Sequence, residues 1–433
     1  MTLSSSLNAG VAGLAANATR LGSISDNIAN SATYGYKRVE TDFHAMVVGS
    51  GRGTYTAGGV RTSTIRLIDK GGPLVTTSNA TDLAVRGRGM LPVTPFSALQ
   101  GGAADLPMLM TTTGSFHVDE LGYLKSSSGH VLLGWPAAAD GSIPDQSRVS
   151  SAGLQPVRIN FSQVIGQPTT AVDLLANLPA TGTLAGADGA SFDLTVEYFD
   201  NLGVPSVIDV TFTPTVPASG ASNEWTLELR DRAQGGAVIG DYTLTFDDTR
   251  GAGGTLLSVA DNTGGAYDPA TGSFTVNVAG GPIVVKIGLP GAAGGMTQLS
   301  DIFSPIQISQ NGAAAGTITS IEVDENGYIH AQFSTGLTRT LFQVPLVDVP
   351  NPNGLQALDG QTYAISRTSG AFYLWNAGDG PTGEIVPYAR EESTTDIAAE
   401  LTGLITTQRA YSSNAKVIQT VDEMLQETSN IKR

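Results

Sequence analysis

Apolar positions near the two ends of the chain recur at alternating spacings of four and three residues. The first stripe consists of Leu7, Val11, Leu14, Ala18, Leu21, Ser25 and Ile28. The second consists of Ile397, Leu401, Leu404, Gln408, Tyr411, Ala415, Ile418, Asp422 and Leu425. Heptad spacing is typical of α-helices that pack side by side. The pattern therefore predicts one helix at each end of the chain and a coiled coil between them.

Local signals predict how these two helices begin and end. Gly35 interrupts the first pattern, and Ser393 followed by Asp396 gives a capping signature before the second. Gly13 and Gly22 each weaken the first helix by about 1 kcal/mol relative to alanine. Nothing local covers the apolar stripe of that helix, and an isolated helix of this kind is marginal in water. We therefore expect both terminal segments to be largely unfolded until they meet neighbouring copies.

Between the terminal segments, apolar and polar residues alternate with a period of two in short runs. The clearest runs begin at Phe192, Ile208, Trp225, Tyr242 and Phe274, and clusters of Gly, Pro, Asn and Asp separate them. This alternation predicts antiparallel strands with one buried face. The predicted fold class is therefore mainly β with α-helical termini: antiparallel β domains in series plus a coiled-coil terminal helix pair.

An internal echo helps to divide the chain into domains. Residues 118–124 and 323–329 both indicate a strand, a tight turn with glycine at a positive φ, and a second strand. The two copies flank an acidic middle, which indicates one β domain with another inserted into it. The predicted parts are a terminal helical assembly domain (1–30 with 393–433), a connector (31–75), an inner β domain (76–150 with 320–392) and an inserted outer β domain (151–319).

The charge of the chain excludes two classes of partner. The net charge is −16, whereas nucleic acid and anionic membranes select basic patches. No apolar run is long enough to span a bilayer, so no membrane insertion is expected. A cleaved secretion signal is not expected either, because the start of the chain lacks a basic stretch followed by an apolar one.

Candidate catalytic and metal-binding patterns are weak throughout the sequence. The four histidines are scattered: His44, His117, His130 and His330. The glycine-rich runs at 49–53 and 87–89 do not end in the Lys-Ser/Thr of a phosphate-binding loop, and the acidic pairs lack the spacing of an EF-hand. The chain has no cysteine. We therefore predict no catalytic residue, no metal site and no cofactor.

Two motifs at opposite ends of the chain are more specific. Residues 26–37 read Asp-Asn-Ile-Ala-Asn-Ser-Ala-Thr-Tyr-Gly-Tyr-Lys, and Asn27 and Asn30 can bond backbone groups left unpaired at a helix end. This string resembles the N-terminal signature of flagellar rod and hook proteins, N-N-I-A-N-x-x-T-x-G-Y/F-K, with Asp26 in place of the usual Asn. Residues 400–416 resemble the C-terminal motif of that family, E-L-x-x-M-I-x-x-Q-R-x-Y-x-x-N-A-K.

Within this family, residues 174–179, 198–203 and 350–355 resemble segments of hook subunits. Met90 departs from the family pattern, in which phenylalanine is common. The resemblance implies an extracellular structural subunit that self-assembles into a curved helical tube, a universal joint between the basal-body rod and the filament. It further implies export through the flagellar type III apparatus. The implied partners are further copies, rod proteins, the hook cap and the hook–filament junction proteins.

The predicted assembly residues come from the two stripes and the two motifs. In the N-terminal segment they are Leu7, Val11, Leu14, Leu21, Asn27, Ile28, Asn30, Gly35 and Tyr36. In the C-terminal segment they are Ile397, Leu401, Leu404, Gln408, Arg409, Tyr411, Asn414, Ile418 and Leu425. The outer β domain is expected to make polar contacts that slide as the tube bends. The alternatives are a rod protein of the same family, a wall hydrolase and a surface adhesin.

Overall fold

The computed structural model describes residues 3–47, 57–101, 106–138, 141–162 and 164–431. The glycine-rich run at 49–53 lies outside these ranges. The chain divides into two compact units. Unit 1 comprises Met1–Asn160, Ser320–Gln332 and Thr338–Arg433, and unit 2 comprises Phe161–Thr319 and Phe333–Leu337. Residues 151–160 therefore belong to unit 1, and the terminal helices share this unit with a large β-sheet.

The elements follow one another in chain order. Unit 1 begins with α1 (Leu3–Ala29), β1 (Val39–Ala45), β2 (Val60–Arg66), β3 (Leu74–Thr76), β4 (Asp82–Arg86), β5 (Leu91–Pro95), α2 (Phe96–Gln100), β6 (Leu109–Thr111), β7 (Thr113–Val118), β8 (Leu124–Ser126), β9 (His130–Pro136) and β10 (Gln155–Pro156). Unit 2 contains β11 (Ile165–Gln167), β12 (Ala171–Leu178), β13 (Phe192–Phe199), β14 (Pro205–Pro214), β15 (Glu224–Asp231), β16 (Ala237–Phe246), β17 (Leu256–Thr263), β18 (Ser273–Val278), β19 (Gly281–Lys286), β20 (Thr297–Gln298), β21 (Ser304–Gln310) and β22 (Ala313–Gly316). The chain returns to unit 1 with β23 (Ile318–Val323), β24 (Tyr328–Phe333), β25 (Thr338–Gln343), β26 (Leu346–Asp348), β27 (Gln356–Leu358), β28 (Thr362–Ala364), β29 (Tyr373–Trp375), β30 (Glu384–Pro387), β31 (Ala389–Glu391) and α3 (Ile397–Ile431). Short 3-10 turns lie at Ala180–Thr183, Arg232–Gln234 and Pro352–Gly354.

The predicted fold class is confirmed in its main features, because mostly antiparallel strands lie between two terminal helices. The pairing of these helices as a coiled coil is not confirmed, and the structure gives them a different contact row, described below. Among the described residues, no helix combines the length and apolarity needed to cross a bilayer.

Unit 2 contains two five-stranded sheets that share one core. The first is an antiparallel meander in the order β13-β14-β15-β16-β17, and the second has the order β18-β19-β12-β20 with β21 paired to β12. The side chains that the alternation pattern assigned to the buried face do lie in the core. The largest are Tyr198, Phe212, Trp225, Tyr242 and Phe274. The strands predicted from these runs are therefore confirmed.

Unit 1 contains a thirteen-stranded sheet. Its central path runs β27-β28-β6-β5-β9-β8-β7-β4-β30, and β10 pairs with β9. Strands β23, β24 and β25 join this sheet through the pairing of β25 with β9. Buried side chains on and near the sheet include Met110, Leu133, Trp135, Tyr363 and Leu374. The sheet and the two terminal helices belong to the same unit.

The internal echo in the sequence corresponds to a repeated turn. In the first copy, Asp119 Oδ1 accepts hydrogen bonds from the backbone N–H groups of the residues two and four positions later, at 3.0 and 2.8 Å. Asp324 makes the same two bonds at the same distances in the second copy. The glycines of the two turns, Gly122 and Gly327, have φ of 89° and 82°. Asp200 makes a third turn of this kind in unit 2.

Candidate assembly surface

Helices α1 and α3 pack against each other in antiparallel directions. Asn27, near the end of α1, donates to Glu400 Oε1 at 3.0 Å near the start of α3. Gly10, near the start of α1, lies beside Ile418. Each helix is therefore covered in part by the other within one chain. Whether the two segments fold before they meet neighbouring copies stays a prediction.

The contact between the two helices is made at small residues. A Cβ atom on Gly13 would lie only 2.8 Å from Asn414 Nδ2, and one on Gly10 would lie 3.1 Å from Ile418 Cγ1. Glycine at these positions brings the two helix backbones close together. Gly13, which was expected to weaken α1, is therefore part of the surface through which α1 packs on α3.

The buried row on each helix is displaced by one residue from the predicted stripe. On α1 the row consists of Gly10, Gly13, Asn17, Ile24 and Asn27, and on α3 it includes Glu400, Thr407 and Val421. Each of these residues immediately precedes a member of the predicted stripe. One residue corresponds to a rotation of about 100° around the helix axis. Apart from Ile418, which packs beside Gly10, the predicted stripes therefore lie next to the seam between α1 and α3 and do not form it.

Both predicted stripes point to the same side of the helix pair. On both helices, each residue of the buried row is followed one position later by a stripe residue. Because the two helices are antiparallel, this one-residue rotation turns both stripes toward the same face of the pair. We call this face the outer stripe. Its most exposed apolar members are Val11 (51%), Ile397 (49%), Leu401 (48%), Tyr411 (41%) and Leu425 (42%).

The remaining predicted assembly residues fall into three groups. Half-buried residues at the margin of the outer stripe are Leu7, Leu14, Leu21, Ile28 and Leu404, whereas the half-buried Ile418 packs beside Gly10. Gln408 and Arg409 are exposed, and Asn414 lies in the contact row beside Gly13. Asn27, Asn30, Gly35 and Tyr36 lie away from the stripe, where α1 joins the rest of unit 1.

The hairpin formed by β1 and β2 covers a different side of α1. Ser23 Oγ and Thr41 Oγ1 are 2.8 Å apart, and the Arg20 guanidinium lies 5.7 Å from the centroid of the Phe43 ring. A Cβ atom on Gly59 would lie 3.1 Å from the Cβ of Ala12. Helix α1 therefore has α3 on one side and the hairpin on another. Its part of the outer stripe remains open among the described residues.

Asn27 joins three elements at the end of α1. Its side chain is 1% exposed, and it exchanges two hydrogen bonds with the backbone of Val39: Nδ2 donates to the carbonyl at 2.9 Å, and Oδ1 accepts from the N–H at 2.8 Å. The same Nδ2 donates to Glu400 Oε1. The signature asparagine thus connects α1, the start of β1 and the first turn of α3.

Tyr36 occupies the position where the family signature has Tyr or Phe. Its hydroxyl donates to Asp26 Oδ2 at 2.9 Å and lies 3.1 Å from Asn27 Oδ1. Burial and the neighbouring Asp26 carboxylate raise the pKa of Tyr36 to about 12. The aspartate that departs from the family signature therefore has a specific partner in this chain.

Gly35 and Asn30 shape the turn that follows α1. Gly35 has a φ of 72°, and a Cβ atom there would lie 2.9 Å from Thr113 Cγ2, so conformation and space both favour glycine. Asn30 Nδ2 donates to the carbonyl of Asp26 at 2.9 Å, and its Oδ1 accepts from Thr33 Oγ1 at 3.2 Å. These bonds use polar groups that the end of a helix leaves unpaired.

Four charged residues beside this turn were missing from the predicted assembly residues. Lys37 Nζ lies 2.6 Å from Glu391 Oε1, and both side chains are 2% exposed. Arg38 Nε lies 2.5 Å from Glu400 Oε1, and Glu400 is also 2% exposed. Lys37 and Glu400 were already part of the two family motifs, and Glu400 precedes the second stripe by one residue. Nothing in the local sequence pattern marked Glu391.

The described residues contain no cluster of three or more His, Cys, Asp or Glu side chains placed to hold a metal ion. Comparison with known proteins gives matches to two family models. "Flagellar basal body protein FlaE D2 domain" matches residues 176–313, and "Flagellar basal body rod FlgEFG protein C-terminal" matches residues 388–431. The second match covers β31 and the whole of α3.

Relatives match the chain along its full length. The "Flagellar hook protein FlgE" of Brucella suis biovar 1 is 33% identical over 440 residues, covering 100% of both chains. The protein of the same name from Salmonella typhimurium is 28% identical and covers 99% of this chain and 100% of its own. The solved Helicobacter pylori flagellar hook protein FlgE2 gives a TM-score of 0.47 at 13% identity, covering 74% of this chain and 99% of that one. The full-length identity to the Brucella protein shows that the chain belongs to the flagellar hook protein family.

Proposed function

We propose that this hook subunit, a structural protein and not an enzyme, assembles into its polymer through the outer stripe of α1 and α3. The observation that carries the proposal is the row of apolar side chains left exposed on one face of the helix pair. Leu401 (48%) and Val11 (51%) are examples from the two helices. A face of this kind on a secreted subunit is expected to be covered by another chain.

Burying the exposed apolar side chains of the outer stripe would contribute several kcal/mol to a contact between copies. Burying a whole apolar side chain contributes about 1.5–3 kcal/mol, so burying the exposed half contributes about 1 kcal/mol. The five most exposed members of the stripe therefore contribute roughly 5 kcal/mol per copy, before the entropic cost of association. The contact is heterologous, since the stripe meets a different surface of the next copy, and it therefore extends into an open helical array.

Unit 2 is proposed to form the exterior of the tube. It contains 15 Asp or Glu residues against four Lys or Arg, counted over 161–319. Unit 2 also exposes apolar side chains in edge strand β21 and just before it. Ile302, Ile306 and Ile308 are 65%, 58% and 38% exposed there, and residues 302–321 contain no charged side chain. We propose that neighbouring copies approach at this uncharged edge, since acidic faces repel one another.

The family places the chain at the flagellar hook, and we propose the finer features of its life cycle from that. The polymer is curved and works as a joint between rod and filament. The chain leaves the cell unfolded through the flagellar export apparatus. The two ends of the polymer contact rod proteins, the hook cap and the junction proteins.

The test is a pair of single substitutions in the full-length protein. Leu401→Asp places a carboxylate within the outer stripe. Thr402→Asp places one at the next residue of α3, which is exposed on a side of the helix that faces away from the stripe. Cells with only the first variant should have rods without hooks in electron micrographs, and cells with the second should have normal hooks. Normal hooks in the Leu401→Asp strain would contradict the proposal. Straight instead of curved polymers from the native chain would favour the rod alternative.

A further inference from the structure

Lys37 and Arg38 are adjacent residues that contact two different parts of the molecule. They lie in the extended segment between the turn at Gly35 and β1, where successive side chains point to opposite sides. Lys37 Nζ contacts Glu391 Oε1 at 2.6 Å, and Arg38 Nε contacts Glu400 Oε1 at 2.5 Å. The two glutamates are 354 and 362 residues away along the chain. We call these two ion pairs the Lys37–Arg38 clamp.

The Lys37 half of the clamp is anchored in the β part of unit 1. Glu391 lies in β31, which pairs with β3, and its Oε1 also accepts from the N–H of Gly72 at 2.6 Å. Lys37 Nζ donates in addition to the carbonyl of Lys70 at 2.7 Å. With both charged side chains 2% exposed, this pair has little freedom to change its geometry. Lys37 is thereby fixed to the β part of the unit.

The Arg38 half of the clamp is anchored in the helix pair. Glu400 lies in the first turn of α3, where a negative charge is favoured by the helix dipole. The same carboxylate oxygen accepts from Asn27 Nδ2 at 3.0 Å, so it also holds the end of α1. The backbone N–H of Arg38 donates to Thr394 Oγ1 at 2.8 Å, just before α3 begins. Arg38 is thereby fixed to both helices.

We propose that the Lys37–Arg38 clamp sets the direction and rotation of the helix pair relative to the β part of unit 1, and so sets where the outer stripe points. These are positioning residues for assembly, and this inference rests on the proposed function of the outer stripe. Apolar contacts alone specify rotation poorly, because a row of small residues can slide or turn. The Lys37–Glu391 pair is buried on both sides, whereas the Arg38–Glu400 pair combines a buried carboxylate with an Arg38 side chain that is 33% exposed. Ion pairs held by several hydrogen bonds have one good geometry, and buried polar groups are known to fix register in helix assemblies.

The experiment measures the direction of the helices in assembled hooks. Because the chain has no cysteine, two introduced cysteines would be the only sites that a thiol-reactive spin label modifies. We choose Thr406→Cys on α3 and Leu121→Cys on the β part, since both positions are exposed and neither belongs to the outer stripe. Labelled copies are diluted into unlabelled ones, and the distance between the labels is measured by double electron–electron resonance.

The native clamp should give one narrow distance distribution. Arg38→Glu and Arg38→Met should broaden or shift it, whereas Arg38→Lys, which keeps a cation beside Glu400, should leave the distribution close to the native one. The matched control is Arg86→Glu, since Arg86 forms a looser pair with Glu384 at 3.9 Å with both side chains largely exposed. This control should leave the distribution unchanged.

Several outcomes would overturn the inference. A distribution as narrow with Arg38→Glu as with the native residue would do so, as would an equal change in the control. If Arg38→Glu yields no hooks, Arg38→Met and Arg38→Lys decide: a changed distance with Arg38→Met beside a native distance with Arg38→Lys supports the clamp, and a native distance with both overturns it. Failure of the proposed function would look different, since it requires the Leu401→Asp strain to build normal hooks while the clamp variants still change the distance.

Discussion

Replacing Lys37 by methionine tests how strongly the buried ion pair stabilises unit 1. The change removes the cation beside Glu391, whose side chain is 2% exposed, and keeps an unbranched side chain of similar length. Removing one partner of a buried pair costs about 3–5 kcal/mol, because the other charge remains buried without compensation. The N–H of Gly72 is the one other donor to the Glu391 carboxylate that we find among the described residues, and Glu391 Oε2 has no donor there.

The assay is thermal and urea denaturation of the full-length protein, followed by circular dichroism. Since 1 kcal/mol corresponds to roughly 2–4 °C in a domain of this size, the transition of unit 1 should fall by roughly 10 °C. The matched control is Arg86→Met at the exposed pair with Glu384, which should cost about 0–1 kcal/mol. Unit 2 should unfold at its native temperature in both variants, because the ion pair lies in unit 1.

The double variant Lys37→Met with Glu391→Met separates charge burial from simple loss of a contact. Two apolar side chains leave no buried charge, so most of the lost stability should return, less about 1–3 kcal/mol for the unpaired N–H of Gly72. The single and double variants are therefore expected to be strongly non-additive. A double variant at least as unstable as Lys37→Met alone would refute the reasoning. A Lys37→Met protein with native stability would refute it as well.

Three further predictions concern other parts of the chain. The folded pKa of Tyr36 is about 12 against an ordinary value of 10.0, so the unfolded phenol ionises first and stability should fall as the pH rises from 10 to 12. Urea denaturation at a series of pH values should show that Tyr36→Phe removes this part of the fall. Gly122→Ala should cost more than the roughly 1–2 kcal/mol expected for Gly129→Ala, because both glycines have a positive φ but only the first faces a backbone carbonyl; urea midpoints test this, and equal costs would contradict it. A benzophenone side chain at Ile306 should crosslink neighbouring copies in hooks under ultraviolet light, whereas one at Leu257, 53% exposed on another edge strand, should not.

The β part of the fold was largely predictable because its signal is local. In a two-layer domain, inward and outward side chains alternate along every strand. The alternating runs that begin at Phe192 and Trp225 therefore predict both the strand and its buried face. The turns at Asp119 and Asp324 were predictable for the same reason. Each of them has an aspartate followed three positions later by a glycine at a positive φ.

The seam between the helices was not predictable from apolar spacing. The predicted stripes follow the spacing of mostly apolar side chains, whereas the contact row contains Gly10, Gly13 and Asn17. Glycine contributes no apolar side chain, yet it allows the close approach that decides how α1 and α3 pack. The pattern therefore predicted two helices and assigned the more exposed face of each to their seam.

The ion pairs of the Lys37–Arg38 clamp could not be predicted from local sequence patterns. Lys37 and Glu391 are 354 residues apart, and a single charged residue in a short strand carries no sign that it will be buried. Their pairing follows only once β31 lies beside β3 and the turn at Gly35 brings Lys37 to the same place. Long-range topology decides this part of the site.

The repeated aspartate turn has a practical consequence for measuring how hooks rotate. In the copy at Asp200, the carboxylate bonds the N–H groups of Leu202 and Val204 at 2.8 Å each, so the loop is held without any contribution from the Leu202 side chain. That side chain is 79% exposed at the tip of the turn. A single thiol introduced there would be the sole reactive sulfhydryl on the subunit, a chemical handle for a fluorophore or a bead.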